Sequence, residues 1–243
     1  MTGYPGQVVI DCFPESLARY GAGWAVVAVD VIRATTTAVT AVAAGRSCYP
    51  APTLDAALEL AAGLERPLLV GELGGGMPFG FDLNNSPAAL AGRTDLERPV
   101  VLLSTTGTRL LRRTSPGQAV YAACLRNLGA QVARLAGRHE RVAVIGAGAR
   151  REFRDEDQLA CAWIAAGLVE AGYRPSRLTA ELIARWRGAP IEAVARGASA
   201  DYLRRSGQLE DLEFIVSHID DLDLTVELNG RGLARVPASG RTA

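Results

Sequence analysis

The sequence predicts an α/β fold built on a mostly parallel sheet with helices on both faces. Three observations predict it. Short valine-rich apolar runs of strand length recur along the chain. Most are followed by a segment whose apolar residues fall at helical spacing, the order of a parallel sheet. Several runs are apolar throughout, as strands buried on both faces are.

Gln7 to Cys12 reads as the first strand, and Pro14 opens a short helix to about Tyr20. Ala25 to Val29 is a second strand. It delivers an acid at Asp30, a base at Arg33 and hydroxyls at Thr35, Thr36 and Thr37, at the start of a helix that Gly45 ends. Ser47 to Pro50 is a short strand, and Thr53 is the N-cap of a helix to Leu64. Pro67 to Gly71 is a strand followed by a long irregular segment, Glu72 to Pro87, with Ser86 and Pro87 opening a short helix. Val100 to Leu103 is a strand, and Ser104-Thr105-Thr106-Gly107-Thr108 leads into a helix. Ala119 to Ala123 is a strand before a helix from about Leu125 to Ala136. Arg141 to Gly146 is a strand, then come Gly146-Ala147-Gly148, a charged turn from Arg150 to Asp157, and a helix from about Gln158 to Ala171. A helical segment at about 176–217 is broken at Gly188-Ala189-Pro190, Gly197 and Gly207. A hairpin at about 224–236 turns at Asn229-Gly230, and the residues from Pro237 read as frayed.

The 243 residues fit one domain, 1–243, with the helical segment and the hairpin as parts of it. With 26 basic and 26 acidic side chains, no broad basic surface for nucleic acid is expected. No apolar run reaches the length of a membrane span, and the opening residues do not read as an export signal. Cys12, Cys48, Cys124 and Cys161 have neither metal nor disulfide spacing, so core thiols and a reducing, cytoplasmic compartment are expected. His139 and His218 read as surface or structural residues.

Four strand ends carry polar clusters: Asp30 with Arg33, Glu72 with its glycine-rich loop to Ser86, Ser104 to Thr108, and Gly146 to Asp157. In a parallel sheet these ends share one edge, where ligands bind. Each cluster also has a plain structural reading. Asp30 could cap its helix, Gly74-Gly75-Gly76 could be a turn, and Glu156 and Asp157 could complement a helix dipole. With Asp30 and Glu72, the same acids could hold a hard cation such as magnesium. Gly146-Ala147-Gly148 is a weak dinucleotide fingerprint, since its third glycine position is Arg151.

Val29-Asp30-Val31-Ile32-Arg33-Ala34-Thr35-Thr36-Thr37, Gly71-Glu72, Gly80-Phe81-Asp82-Leu83-Asn84-Asn85-Ser86-Pro87, Ser104-Thr105-Thr106-Gly107-Thr108 and Glu156-Asp157 resemble the signature blocks of the 2-phosphosulfolactate phosphatase family, in that family's order. The resemblance implies a three-layer α/β/α sandwich with a mixed sheet, and magnesium-dependent hydrolysis of a sulfolactate phosphate ester on the path to coenzyme M. Three departures stand out: Leu73 where the family has Arg, Asn84 where it has Gly, and a Thr105-Thr106-Gly107-Thr108 block lacking the family's Asn. They bear on the exact substrate more than on the reaction class.

The expected function is therefore a Mg2+-dependent phosphatase acting on a small acidic phosphomonoester. Asp30, Glu72 and Asp157 are the expected metal carboxylates, with Glu156 as alternate. Arg33 is expected on the phosphate or the substrate's acid group, with Thr35, Thr36, Asn85, Ser86, Thr105, Thr106 and Thr108 as donors. The expected partner is the small-molecule phosphate ester, without nucleic acid or membrane, and a homo-oligomer is left open. The rival reading is a non-catalytic anion- or nucleotide-binding protein on the same scaffold.

Overall fold

The computed structural model describes residues 6–112, 115 and 117–236. The opening residues 1–5 and the tail from Pro237, read above as free of an export signal and as frayed, lie outside the described residues.

Among the described residues ten strands form one sheet. They are β1 (Gln7–Cys12), β2 (Ala25–Val29), β3 (Cys48–Ala51), β4 (Leu68–Gly71), β5 (Val100–Leu103), β6 (Val120–Ala123), β7 (Arg141–Gly146), β8 (Arg174–Pro175), β9 (Thr225–Asn229) and β10 (Gly232–Val236), in the order β4-β5-β3-β10-β9-β6-β2-β7-β1-β8. All pairings are parallel except those of the β9–β10 hairpin. The expected mixed, mostly parallel sheet is present. The hairpin lies in the middle of it: β10 pairs with β3 at Leu233–Cys48, and β9 pairs with β6. Its loop is Gly230-Arg231, since Asn229 and Gly232 still face each other as strand partners.

The helices are α1 (Ala34–Ala43), α2 (Leu54–Ala62), α3 (Pro87–Ala91), α4 (Gly107–Leu110), α5 (Leu128–Leu135), α6 (Asp155–Glu170), α7 (Arg177–Trp186), α8 (Ala198–Arg205) and α9 (Leu209–Ser217). They make the two outer layers of the α/β/α arrangement. Val27 and Val29 of β2, with Val142 and Val144 of β7, pack in one core with Leu159, Ile164 and Leu168 of α6. The alternate residues Val26, Ala28, Ala143 and Ile145 pack in a second core with Val39 and Val42 of α1 and Leu110 of α4. This two-sided burial is why β2 and β7 read as unbroken apolar runs. Each fully buried valine or leucine contributes about 1.5–3 kcal/mol.

Thr53 caps α2 by accepting the Ala56 N–H (3.2 Å), and Ser86 caps α3 by accepting that of Ala89 (3.0 Å), both as expected. Two boundaries differ. α6 begins at Asp155 rather than Gln158, because three acids are favoured in a first helical turn and nothing there breaks the helix. The helix expected from Leu125 starts as a 3-10 turn, Leu125–Asn127, in which Asn127 Oδ1 accepts the Cys124 N–H (3.0 Å). The two-residue edge strand β8 is too short to leave a periodic signal.

All four cysteines are free thiols; Cys48, Cys124 and Cys161 are buried and Cys12 is partly so. Thiol titration of the denatured, unreduced protein is expected to count four, and a lower count would contradict this. No helix among the described residues is long and apolar enough to cross a membrane.

Candidate active site

The apolar β2 runs straight into the site. Thr35 Oγ1 accepts the Asp30 N–H (2.8 Å) and donates to the Asp30 carbonyl (2.9 Å), while Thr36 Oγ1 donates to the Val31 carbonyl (2.8 Å). These hydroxyls fix the strand-to-helix turn, in which the Ile32–Arg33 peptide is cis. Asp30 does cap α1, with one oxygen: Oδ1 accepts the Ala34 N–H at 3.1 Å. Its other oxygen, Oδ2, has no hydrogen-bond partner among the described residues. Gly107 is there to make room for it, since a Cβ at that position would stand 2.1 Å from Oδ2. Thus the shortened threonine block puts a glycine against the central acid.

Arg33 is 5% exposed. Its Nη1 donates to Asp211 Oδ2 (2.6 Å) and to Gln208 Oε1 (2.5 Å). Its other nitrogens have no hydrogen-bond partner among the described residues. Asp211 in turn accepts from Ser86 Oγ (2.6 Å) and the Ala88 N–H (3.1 Å), and Asn84 donates to Gln208 (2.8 Å). The residue that departs from the family pattern at position 84 therefore helps to position the arginine's partner.

Glu72 ties two loops together. Its Oε1 accepts the Thr105 N–H (2.6 Å), and its Oε2 accepts the Thr105 hydroxyl (3.0 Å) and the Gly75 N–H (2.7 Å). Asp157, on the first turn of α6, receives the N–H groups of Val31 (2.8 Å) and Gly148 (3.1 Å). Gly146 lies against Phe153 and Asp157, and Gly148 gives its N–H to Asp157, so the Gly-Ala-Gly segment serves the acid and is not a free pyrophosphate turn.

A cleft of about 390 Å³ brings together Asp30, Arg33, Glu72, Asn85, Thr105, Thr106 and Asp157 at the carboxyl edge of the sheet. Thr35, Thr36, Thr108, Ser86 and Glu156 do not line it. The first two are engaged with the backbone as described. Thr108 donates to the carbonyls of Ala51 (2.7 Å) and Ser104 (2.9 Å), and Ser86 is the α3 cap bound to Asp211. These four expected substrate donors are instead structural, and Thr105 and Thr106, though they line the cleft, give their hydroxyl hydrogens to Glu72 Oε2 (3.0 Å) and to the Gly148 carbonyl (3.2 Å). Glu156 Oε2 is buried without a hydrogen-bond partner, close to Gly197 and behind the cleft wall.

Burial first, then the charges of Glu72 and Glu156, push the Asp30 carboxyl up to about 7, against the opposing pull of the Ala34 N–H and Arg33. Burial, then the charges of Asp30 and Glu156, hold Asp157 well above the usual carboxylate range, and burial raises Glu156 as well. The cleft thus favours protons, or a cation, beside these acids. Among the described residues no three His, Cys, Asp or Glu side chains are gathered around one metal-sized point. The four expected carboxylates are therefore neighbours and not one ligand cage: Glu72 is turned to Thr105 and Gly75, and Glu156 does not line the cleft. What the wall does offer a magnesium ion is oxygen. Asp30 Oδ2 is unpartnered, and so is the buried Asn85 Oδ1. One or two carboxylates with added oxygens is the usual magnesium donor set, so the residues present fit that ion.

Sequence reasoning missed Asp211, Gln208, Gly107 and the cleft-lining Tyr202, all but Gly107 from the helical segment. Asp211 alone left a signal: it stands at helical spacing with Leu212 and Ile215 on the buried face of α9, where an acid needs a partner.

The comparisons agree with this geometry. Residues 12–230 match the family described as 2-phosphosulpholactate phosphatase. A protein of Gloeobacter violaceus is 32% identical over 212 residues, covering 86% of this chain and 89% of its own. One of Synechococcus sp. (strain RCC307) is 31% identical over 237 residues, covering 92% and 96%. Both bear the name "Probable 2-phosphosulfolactate phosphatase". With the carboxyl-edge cleft, these matches define the class of the protein, a phosphoric monoester hydrolase of α/β fold. More particularly, the chain belongs to the 2-phosphosulfolactate phosphatase family.

Proposed function

We propose that the protein hydrolyses 2-phosphosulfolactate to sulfolactate, a step on the path to coenzyme M, in the cytoplasm and with Mg2+. The observation that carries this reading is the pairing, in one cleft, of a buried acid with an unused oxygen and a buried arginine held rigidly by its own counter-ion. Arg33 keeps one nitrogen on Asp211 and Gln208 and turns its remaining N–H groups to the phosphate, in the planar geometry that suits an oxyanion. The Asn85 amide adds a neutral donor. Asp30 and Asp157, with the Asn85 carbonyl oxygen, would hold the magnesium, which would supply neutralisation of charge on the phosphoryl oxygens. Glu72 binds no substrate in this account. It sets the Thr105 loop and adds negative charge that favours the cation.

Phosphate release from 2-phosphosulfolactate is the test. Release is expected with Mg2+, is abolished by EDTA, and returns when Mg2+ is restored. Undiminished release in EDTA would remove the metal from the proposal. A folded protein that releases phosphate from neither this ester nor p-nitrophenyl phosphate would remove the function, and would favour the anion-binding rival.

A further inference from the structure

Four arginines line the cleft: Arg33, Arg150, Arg154 and Arg205. Two have their charge met within the protein, Arg33 by Asp211 at 2.6 Å and Arg154 by Glu152 at 2.8 Å. Arg150 and Arg205 are exposed, and among the described residues their side chains make no ion pair or hydrogen bond. Three acids, Asp30, Glu72 and Asp157, share the same walls. A divalent cation answers those acids at the deep end. A ligand with a further strong acid group still needs positive charge, and only Arg150 and Arg205 have it uncommitted.

The way both arginines are held supports a ligand role. Ala149 and Glu152 exchange both backbone hydrogen bonds (3.0 and 2.9 Å), closing a turn with Arg150 and Arg151 at its centre. Both arginines have positive φ, 52° and 63°. Such a turn prefers Asn-Gly, and L side chains are strained there. The same segment has glycines at 146 and 148, yet arginines occupy the two positions where glycine would relieve the backbone. Strain of this kind collects at ligand sites. Arg205 is the last residue of α8, and α8 is fastened to the Glu72 loop by Tyr202 Oη, which donates to the Gly75 carbonyl at 2.5 Å. Both arginines therefore stand on anchored backbone and line the same cleft, exposed to solvent.

We infer that Arg150 and Arg205 form a second anion subsite, separate from Arg33. It takes the further acid group of the substrate, a sulfonate or a carboxylate, and so selects polyanionic esters over simple phosphate monoesters. The inference rests on the phosphatase reading above.

The test compares Arg150→Ala and Arg205→Ala with wild type on three esters: 2-phosphosulfolactate, 2-phospholactate and phenyl phosphate. Both residues are exposed, so both variants should fold. For 2-phosphosulfolactate kcat/KM is expected to fall about 10- to 100-fold, mainly through KM, as loss of a charge-assisted contact predicts. Phenyl phosphate, which has no second acid, should change less than about twofold by the same reasoning. A loss on 2-phospholactate as large as on 2-phosphosulfolactate assigns the carboxylate to the subsite; a loss confined to 2-phosphosulfolactate assigns the sulfonate. Equal losses on phenyl phosphate, or no loss on any ester, overturn the subsite. If wild type turns over none of the three, the phosphatase reading fails separately, and calorimetry with sulfolactate decides the subsite. Weakening by tenfold or more in both variants upholds it, while unchanged or absent binding overturns it.

Discussion

Asp30→Asn is expected to lose activity by roughly 10²–10⁴-fold while leaving the protein folded. The substitution keeps an acceptor for the Ala34 N–H, so the helix cap survives. It removes the charge on Oδ2, the carboxylate oxygen beside Gly107 that has no hydrogen-bond partner among the described residues. Stability should move the other way. The folded protein holds the Asp30 proton to about pH 7, whereas an ordinary aspartate releases it near 3.8. Between those values the folded state binds more protons than the unfolded chain, so Asp30 makes the metal-free protein less stable as pH rises. At pH 8 without metal, the Asn variant should therefore melt at or above the wild-type temperature. Added Mg2+ should raise the wild-type Tm at that pH and leave the variant nearly unmoved. Melting curves with and without Mg2+, beside phosphatase rates, check both halves. A fully active variant with unchanged magnesium response would take Asp30 out of the site.

Asp211→Ala is expected to cost about 3–5 kcal/mol of stability, because it strands the buried Arg33 without its counter-ion. At about 2–4 °C per kcal/mol for a chain of this size, the melting temperature should drop by roughly 6–20 °C. Ser86 Oγ and the Ala88 N–H lose their acceptor at the same time, so α3 should loosen at its start. Arg33→Lys is the companion experiment. A lysine can keep the pair with Asp211 but cannot also present a second fixed donor edge to the cleft. It should spare most of the stability and still lower kcat/KM. Urea unfolding of both variants, with kinetics of the lysine variant, separates the two roles of Arg33. An Asp211→Ala protein as stable as wild type would mean that the buried pair is not holding the arginine.

Much of the site was legible because the sheet dictates it. β2 and β7 are buried on both faces, and that burial marks them in the sequence and fixes where their carboxyl ends, with Asp30 and Gly148, must lie. The long loop after β4 marked Glu72 in the same way. The threonines were not legible: a hydroxyl that turns back to its own backbone, as in Thr35, Thr36 and Thr108, has the same letter as one that faces a ligand. Glu156 and Asp157 stand side by side, yet helical geometry sends one into the cleft and the other behind its wall. Asp211 and Gln208 escaped because their meeting with Arg33 joins distant parts of the chain, which no local pattern records. Leu73, which replaces the family's arginine, is 52% exposed and does not line the cleft, so its substitution leaves the Asp30–Arg33 pair intact.

The central hairpin bears on how the protein is made. β9 and β10 follow every other strand in the chain, yet they join the β4-β5-β3 block to the β6-β2-β7-β1-β8 block. Without residues 225–236 the two blocks share no strand pairing, and the flanks of β3 and β6 lack their hairpin partners. The cleft takes Glu72 from one block and Asp30 and Asp157 from the other, so its assembly depends on the hairpin that joins them. Activity is therefore expected to follow closure of the hairpin, and the open edges of β3 and β6 to favour pairing with other chains before it.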